Sequence, residues 1–502
     1  MNARVEKHYI RLDPPTLEDP LADMDRLLRE LARDVPGDIT VPLSVARALP
    51  GVLRDSGFSV TASIAHSVDT PTLISVEPGD TKTRCFGLAV DLGTTNVVCA
   101  LVDLNTGAVL GEASGVNPQT AHGDDILTRI HYCMGDGRLD ELQGEVVGCI
   151  NGLLNRLAGD AGIRPGEVSC MSVSGNTTMA HFLLGLDPYH ICRAPYTPAA
   201  NSFGVIRAAE LGLGINPEGP VYVLPNVGSY VGGDVLAGVL VSGMHNRKPV
   251  SILVDVGTNA EIVIGNSDWL LVCAGAAGPA LEGGVARHGI RAMPGAIERV
   301  SIDRKTLVPS YQVIGGVRPK GICGSALIDL MAELFESGVV DGRGKFTDSR
   351  PAYVVVPADD SATGEDIVFT ETDMDNLLRT KAAMYTVLSV VTRELGVSFR
   401  EIEDFFVAGT FGAYIDPVKA VAIGMLPDIE KSRYKPLGNS SLKGAIETLI
   451  DRDAMLQIDR IAQAITYKEM NVSTDFMSEF RAAMFIPHTD SSLFPSLAQI
   501  ID

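Results

Sequence analysis

The chain has 502 residues, of which 46% are hydrophobic, and its formal net charge is −21 at pH 7. This length predicts about three domains with sizeable cores. The acidity argues against a nucleic-acid partner, because phosphate backbones attract basic surfaces. No apolar stretch is long enough for a membrane span, and the polar start MNARVEKHYIRL is not a signal peptide. Cysteines scattered in apolar runs indicate reduced thiols, as in a cytoplasmic protein.

The first 80 residues are predicted to form a small α/β domain. Helices are expected over residues 21–33 and 42–49, with Pro50 ending or kinking the second one. Strands are expected over residues 58–64 and 72–76, where β-branched residues are frequent. The polar segment EPGDTKTR that follows is typical of a linker.

The next segment, GLAVDLGTTNVVCALVDLNTG, predicts two buried strands joined by a polar turn. The polar residues of this turn are Asp91, Gly93, Thr94, Thr95 and Asn96. Gly93 lets the chain turn sharply and lets the backbone approach a phosphate. The threonines offer hydroxyl and N–H donors, and a carboxylate such as Asp91 at a strand end can hold a hydrated Mg²⁺.

A near copy of this segment, SILVDVGTNAEIVIG, begins at residue 251. Its equivalent residues are Asp255, Gly257, Thr258, Asn259 and Glu261. One copy alone would fit an ordinary hairpin equally well, but two copies argue for a duplicated phosphate-binding loop. Asp91 and Asp255 are therefore the predicted metal-coordinating pair. Beyond these two loops the sequence indicates no internal repeat.

Three further glycine-rich segments complete the predicted nucleotide site. DFFVAGTFGAYIDP predicts a strand, a loop with Gly409, Thr410 and Gly412, and a helix, a pattern that would let backbone pack on a purine. GAAGPALEGG ends in Gly283 and Gly284. VYVLPNVGSYVGGDVLAGVLVS predicts a strand and a helix that begins near Asp234.

Asp234 is a candidate for orienting the attacking water, and Glu261 and Glu282 are alternatives. A carboxylate in the first helical turn can equally well serve the helix dipole. His488 as a metal ligand is weighed in the same way against an anchoring turn of the C-terminal tail. The turn at Asn176 is expected to cap a helix, and it also resembles a phosphate turn.

The rest of the chain is predicted to form two lobes around the nucleotide site. Lobe one comprises residues 85–247, and lobe two comprises residues 249–502 with the C-terminal tail. Helices are expected over residues 321–338, 372–395 and 440–452. Residues 351–366 form a predicted surface loop or sheet edge. Strands are predicted near residues 458–466 and near residue 485.

These motifs resemble the superfamily of acetate and sugar kinases, heat-shock chaperones and actin. A narrower resemblance, to the reductive activators of corrinoid-dependent methyltransferases, covers nearly the whole chain. It is carried by YIRLDPPTLEDP, SGNTTMAHFLLGLDP, LPNVGSYVGGDVLAG and FIPHTDSSLFP. It implies an α/β fold, with a two-lobed actin-like (ribonuclease H-like) ATPase preceded by a small domain of the family's middle type. It also implies ATP, Mg²⁺ and a corrinoid protein or methyltransferase system as partner, whose Co(II) is reduced to Co(I).

The chain departs from this family in its cysteines. Relatives carry a plant-type 2Fe–2S domain with Cys-x4-Cys-x2-Cys spacing. None of the eight cysteines here has that spacing, so no iron–sulfur cluster is expected in this chain, and the electron carrier would be a separate ferredoxin-type domain. The resemblance also suggests a homodimer through residues 1–80. A small-molecule kinase, a nucleotide-binding scaffold without a redox role and a degenerate member that binds nucleotide poorly remain alternatives.

Overall fold

The computed structural model describes residues 2–66, 70–257, 260–275, 286–409, 414–468 and 475–498. The chain divides into two compact units. The first comprises Met1–Val241 and Ser441–Gln463, and the second comprises Ser242–Ser440 and Ala464–Asp502. No helix in the described ranges is long and apolar enough to cross a membrane.

The strands of the first unit form two sheets. They are β1 (Val5–Arg11), β2 (Ser59–His66), β3 (Pro71–Pro78), β4 (Phe86–Leu92), β5 (Asn96–Asp103), β6 (Val109–Val116), β7 (Val168–Gly175), β8 (Val205–Arg207) and β9 (Pro220–Val223). The helices are Asp23–Leu31, Leu43–Asp55, Ile126–Tyr132, Arg138–Ala161, Thr177–Leu184, Gly233–Ser242, Ser440–Ile450 and Arg452–Ala464. The last two return to this unit from the C-terminal part of the chain.

The N-terminal strands β1, β2 and β3 make an antiparallel sheet in that order. The two helices and the strands β2 and β3 were predicted, but β1 was not. Of the two alternatives for Pro50, that it ends or kinks its helix, the first was wrong, since the helix continues to Asp55. Val45, Leu49 and Leu53 are buried on one face of it, and their packing spans the proline.

The second sheet of the first unit has the order β6-β5-β4-β7-β9-β8. Strands β4, β5 and β6 pair antiparallel, whereas β7 and β9 continue the sheet parallel to β4. The long helix Arg138–Ala161 buries a leucine-rich face in the core of this sheet. The polar turns at the carboxyl ends of β4, β7 and β9 consequently face one edge of the sheet.

The second unit contains the remaining strands and helices. The strands are β10 (Ser251–Val256), β11 (Ala260–Gly265), β12 (Leu270–Gly275), β13 (Ala296–Ile302), β14 (Pro309–Val313), β15 (Gly321–Ile322), β16 (Ala352–Val356), β17 (Ile367–Thr370), β18 (Phe405–Ala408), β19 (Tyr434–Gly438) and β20 (Ile465–Tyr467). The helices are Gly324–Glu336, Glu371–Glu394, Pro417–Ala422 and Phe476–Ala483.

The main sheet of the second unit repeats the plan of the first. Its order is β19-β18-β10-β11-β12-β20. Strands β10, β11 and β12 pair antiparallel, and β18 and β19 continue parallel to β10. Both units therefore contain the same five-strand arrangement, and the predicted α/β, ribonuclease H-like class is confirmed.

The strand predicted near residues 458–466 is confirmed only at its end, and the strand predicted near residue 485 was wrong. Residues 452–464 are helical, because Met455, Ile458 and Ile461 recur at helical spacing and are buried together on one face. Only Ile465–Tyr467 is extended. A helix, Phe476–Ala483, precedes Phe485.

Candidate functional site

The first predicted phosphate loop is a tight turn between β4 and β5. A Cβ atom on Gly93 would lie 2.5 Å from the carbonyl oxygen of Asn96, so only glycine fits this position. The buried Asn117 holds the turn from one side. Its Nδ2 donates to the Gly93 carbonyl at 3.0 Å, and its backbone N–H donates to the Thr95 carbonyl at 2.8 Å. The turn is therefore held by hydrogen bonds at two of its carbonyl groups.

Asp91 stands at the end of β4 and is oriented by a residue far away in the sequence. Ser441 Oγ donates to Asp91 Oδ1 at 2.7 Å and also hydrogen-bonds Ser174 Oγ at 2.9 Å. Ser441 belongs to the first turn of helix Ser440–Ile450. A half-buried carboxylate with a fixed orientation is suited to hold a divalent cation.

Asp234 lies in the first turn of helix Gly233–Ser242, where its Oδ1 accepts the Val235 N–H at 2.9 Å. Burial raises the pKa of this carboxyl to about 6; the Val235 N–H opposes the rise, and the nearby charge of Asp91 adds to it. A Cβ on Gly232 would lie 2.4 Å from Asn176 Cα and 2.7 Å from Asp234 Oδ1. Asp234 thus lies beside the turn that follows β7, close enough to Asp91 for that charge to contribute to its raised pKa.

Asn176 connects that turn to the first phosphate loop. Its Oδ1 caps helix Thr177–Leu184 by accepting the Met179 N–H at 3.0 Å. Its Nδ2 donates to Thr94 Oγ1, also at 3.0 Å. The predicted cap is confirmed, and the same side chain also contacts the candidate site.

The described part of the second loop repeats the strand–turn–strand plan in the other unit. Asp255 stands opposite Glu261 across the β10–β11 hairpin. Gly409, with a φ of 86°, follows β18. A Cβ at this position would lie 2.5 Å from the Val256 carbonyl and 3.1 Å from Asp255 Oδ1. The start of the predicted adenosine loop therefore contacts the second acidic turn.

Several predicted site residues lie outside the described residues. They are Thr258, Asn259, Glu282, Gly283, Gly284, Thr410 and Gly412. Gly257 is described and exposed, and its exposure leaves its backbone accessible.

The repeat extends further than the sequence indicated. Gly175 at the end of β7 and Gly409 directly after β18 occupy equivalent positions, because a Cβ on Gly175 would lie 2.7 Å from the carbonyl of Leu92, the residue after Asp91. Val256 likewise follows Asp255. The only sequence signal is the short match between VSGNT and VAGTF. Sequence reasoning missed Ser174 and Ser441, although the serine pair at the predicted start of helix 440–452 was visible.

His122 and His488, the second of which was weighed from the sequence as a metal ligand, both have partners within the protein. His122 Nε2 lies 2.8 Å from Glu145 Oε1, and with Glu141 these side chains place potential ligand atoms within 4.8 Å of one another. The buried His488 accepts the Asp490 N–H and lies 3.6 Å from Glu479. These contacts fit the anchoring turn expected for the tail.

Comparisons with known proteins show the family to which the chain belongs. A model of the C-terminal domain of RACo, the ASKHA domain, matches residues 249–498, and models of the RACo middle and linker regions match residues 86–247 and 1–83. The corrinoid activation enzyme RamQ of Eubacterium limosum is 32% identical over an alignment of 429 residues, and the match covers 81% of this chain and 72% of that protein. The chain belongs to the RACo family of reductive activators of corrinoid proteins.

Two further relatives support the same assignment. A protein named Co(II) methylated amine-specific corrinoid protein reductase, from Methanosarcina barkeri, is 23% identical over an alignment of 418 residues. The match covers 78% of this chain and 74% of that protein. A solved structure titled reductive activator for corrinoid, iron-sulfur protein superposes with a TM-score of 0.91 at 41% identity. The superposition covers 99% of this chain and 81% of the chain in that structure. The actin-like ASKHA class predicted from the sequence is thereby confirmed.

Proposed function

We propose that this RACo-family chain is an ATP-dependent activator that docks a corrinoid protein and supports reduction of its cobalt from Co(II) to Co(I). The proposal is supported by the RamQ relative and by the structural match to a reductive activator. The electron would come from a separate ferredoxin-type carrier, because the eight cysteines are all free and lack the ligand spacing of a ferredoxin cluster.

The observation that carries the ATP-dependent part is the recurrence of one acid–glycine arrangement in both units. Asp91 and Asp255 lie one residue before the ends of the equivalent strands β4 and β10. In each case a glycine of the neighbouring parallel strand, Gly175 at the end of β7 or Gly409 directly after β18, lies against the carbonyl of the residue that follows the aspartate. Carboxylate oxygens are the ligands that Mg²⁺ prefers in proteins. We propose that both aspartates hold the Mg²⁺ of ATP, partly through water.

The neighbouring residues would then have distinct tasks. The Gly93–Asn96 and Gly257–Asn259 turns would present N–H and hydroxyl donors to phosphate oxygens. Ser441 keeps Asp91 oriented, and Asp234 would orient the attacking water. Mg²⁺, when bound, neutralises charge on the phosphates. Gly409, Thr410 and Gly412 would pack against the adenosine, and Gly283 and Gly284 would approach the phosphates.

The proposal includes a cytoplasmic location and a homodimer. Burial raises the pKa values of Cys85, Cys99, Cys170 and Cys273, which is typical of reduced core thiols in a cytoplasmic protein. A homodimer through residues 1–80 is proposed from the family resemblance.

The test is phosphate release by the purified chain with ATP and Mg²⁺, alone, with a corrinoid protein and with sugars. Stimulation by the corrinoid protein, together with ATP-dependent loss of the Co(II) EPR signal when reductant is supplied, is the expected result. Stimulation by a sugar alone would instead identify a small-molecule kinase.

Asp255→Ala is expected to lower kcat/KM at least about 100-fold, because it removes a proposed metal ligand while leaving β10 paired on both sides. Asp268→Ala is the matched control, since the Asp268 side chain is exposed and, in the part of the chain that the structure describes, contacts the surface groups of Lys248 and Ser267. Circular dichroism should show both variants folded. Unchanged turnover in Asp255→Ala would remove this residue from the site.

A further inference from the structure

The amide of Asn176 has a defined orientation. Its oxygen must face the Met179 N–H, because a helix N-cap requires an acceptor. Its NH₂ group therefore faces Thr94 Oγ1 at 3.0 Å. The cap thus determines which end of the amide meets the phosphate loop.

This orientation determines what the Thr94 hydroxyl can do. A hydroxyl has one proton to donate and two lone pairs that accept. Since Thr94 Oγ1 accepts from Asn176, its own proton is not used in that contact. Among the described residues Thr94 has no other hydrogen-bond partner, so the proton is available for an acceptor in the loop.

We propose that Asn176 is a positioning residue that sets the polarity of the Thr94 hydroxyl, so that Thr94 donates to a phosphate oxygen of the nucleotide. This inference rests on the proposed nucleotide site. A phosphate oxygen carries negative charge and only accepts hydrogen bonds, so a threonine oriented as a donor binds it, and a threonine oriented as an acceptor repels it.

Asn176→Asp reverses this polarity with little change in shape. An aspartate still caps the helix through one carboxylate oxygen. Its second oxygen can only accept, so Thr94 would donate its proton to the aspartate instead of the phosphate. We expect Mg²⁺–ATP to bind on the order of 10- to 100-fold more weakly, the range for a lost hydrogen bond to a charged group.

A double-mutant cycle separates the effect of the added negative charge from the effect of losing the Thr94 hydrogen bond. In the Thr94→Val background no hydroxyl is present, and Asn176→Asp should weaken binding only about fivefold or less, the effect of one added charge in a hydrated site. Binding is measured by calorimetry with Mg²⁺ and a non-hydrolysable ATP analogue. Thermal unfolding midpoints should agree between wild type and Asn176→Asp, because the cap is retained.

Each outcome decides the inference. A loss several-fold larger in the wild-type background than in the T94V background supports it. Equal losses in the two backgrounds, or wild-type affinity in Asn176→Asp, overturn it while the proposed function stands. A wild-type chain that binds no Mg²⁺–ATP analogue overturns the proposed function and this inference with it.

Discussion

Two helices of the first unit touch at their backbones, and this contact gives a sharp stability prediction. A Cβ on Gly444, in helix Ser440–Ile450, would lie 2.5 Å from Ala237 Cβ and 2.8 Å from Ala237 Cα. Carbon atoms in contact normally approach no closer than about 3.5 Å. Gly444→Ala therefore requires the helices to separate by about 1 Å.

The expected cost of this overpacking is about 1–3 kcal/mol. Alanine also favours a helix over glycine by roughly 0.5–1 kcal/mol, which partly offsets the cost. Gly148→Ala isolates the packing effect, because Gly148 is an exposed helical glycine with no atom within 4 Å of the added Cβ. We expect Gly148→Ala to stabilise the chain slightly and Gly444→Ala to be about 1–3 kcal/mol less stable than that control.

The assay compares thermal unfolding midpoints and urea midpoints of wild type, both variants and Gly444→Ala combined with Ala237→Gly. The second substitution removes the opposing methyl group, so the pair should show favourable coupling. ATP turnover should also fall in Gly444→Ala, since the moving helix carries Ser441, the partner of Asp91. Equal stabilities of Gly444→Ala and Gly148→Ala, or zero coupling with Ala237→Gly, would refute the close contact.

Two further predictions concern single side chains. Contact with His488 lowers the pKa of the Glu479 carboxyl to about 2, so its charged form stabilises the fold above its ordinary pKa and this contribution is lost as pH falls through about 2. Glu479→Gln should lower the free energy of unfolding at pH 7 by at most about 3 kcal/mol, and by progressively less as pH falls towards 3; a pH-independent loss would contradict this. Ser441→Ala should reduce kcat/KM about tenfold by releasing Asp91, whereas Ser440→Ala, which removes a buried hydroxyl with no hydrogen-bond partner among the described residues, should leave it unchanged. Equal effects of the two serine variants would argue against the Asp91 contact.

Local sequence patterns predicted the parts of the fold whose signals are local. The hairpins at Asp91 and Asp255 were predicted because an apolar run and a Gly-Thr turn specify them within a few residues. The strand β1 was missed because it is rich in charge. Its Lys7 is paired with Glu77 of β3, and such pairing conceals a half-buried strand from a hydropathy pattern.

The candidate site depends on contacts that no local pattern contains. Ser441 and Asp91 are 350 positions apart, and only the return of helix Ser440–Ile450 to the first unit brings them together. The Asn176–Thr94 bond, between residues 82 positions apart, similarly requires β7 to pair with β4. A short sequence match can indicate a duplicated loop, but the residues that orient its acid come from elsewhere in the fold.

The two copies of the loop also differ in how each places a second carboxylate near its aspartate. Opposite Asp91 across the hairpin stands Val98, whereas opposite Asp255 stands Glu261. In the first unit the neighbouring acid is Asp234 instead, supplied by a helix; burial raises the pKa of its carboxyl, and the charge of Asp91 adds to that rise. Because the neighbouring acid is supplied by a different element in each unit, its surroundings differ. The same fold therefore provides two acidic turns with different electrostatics, and equivalent substitutions in them should not have equal effects.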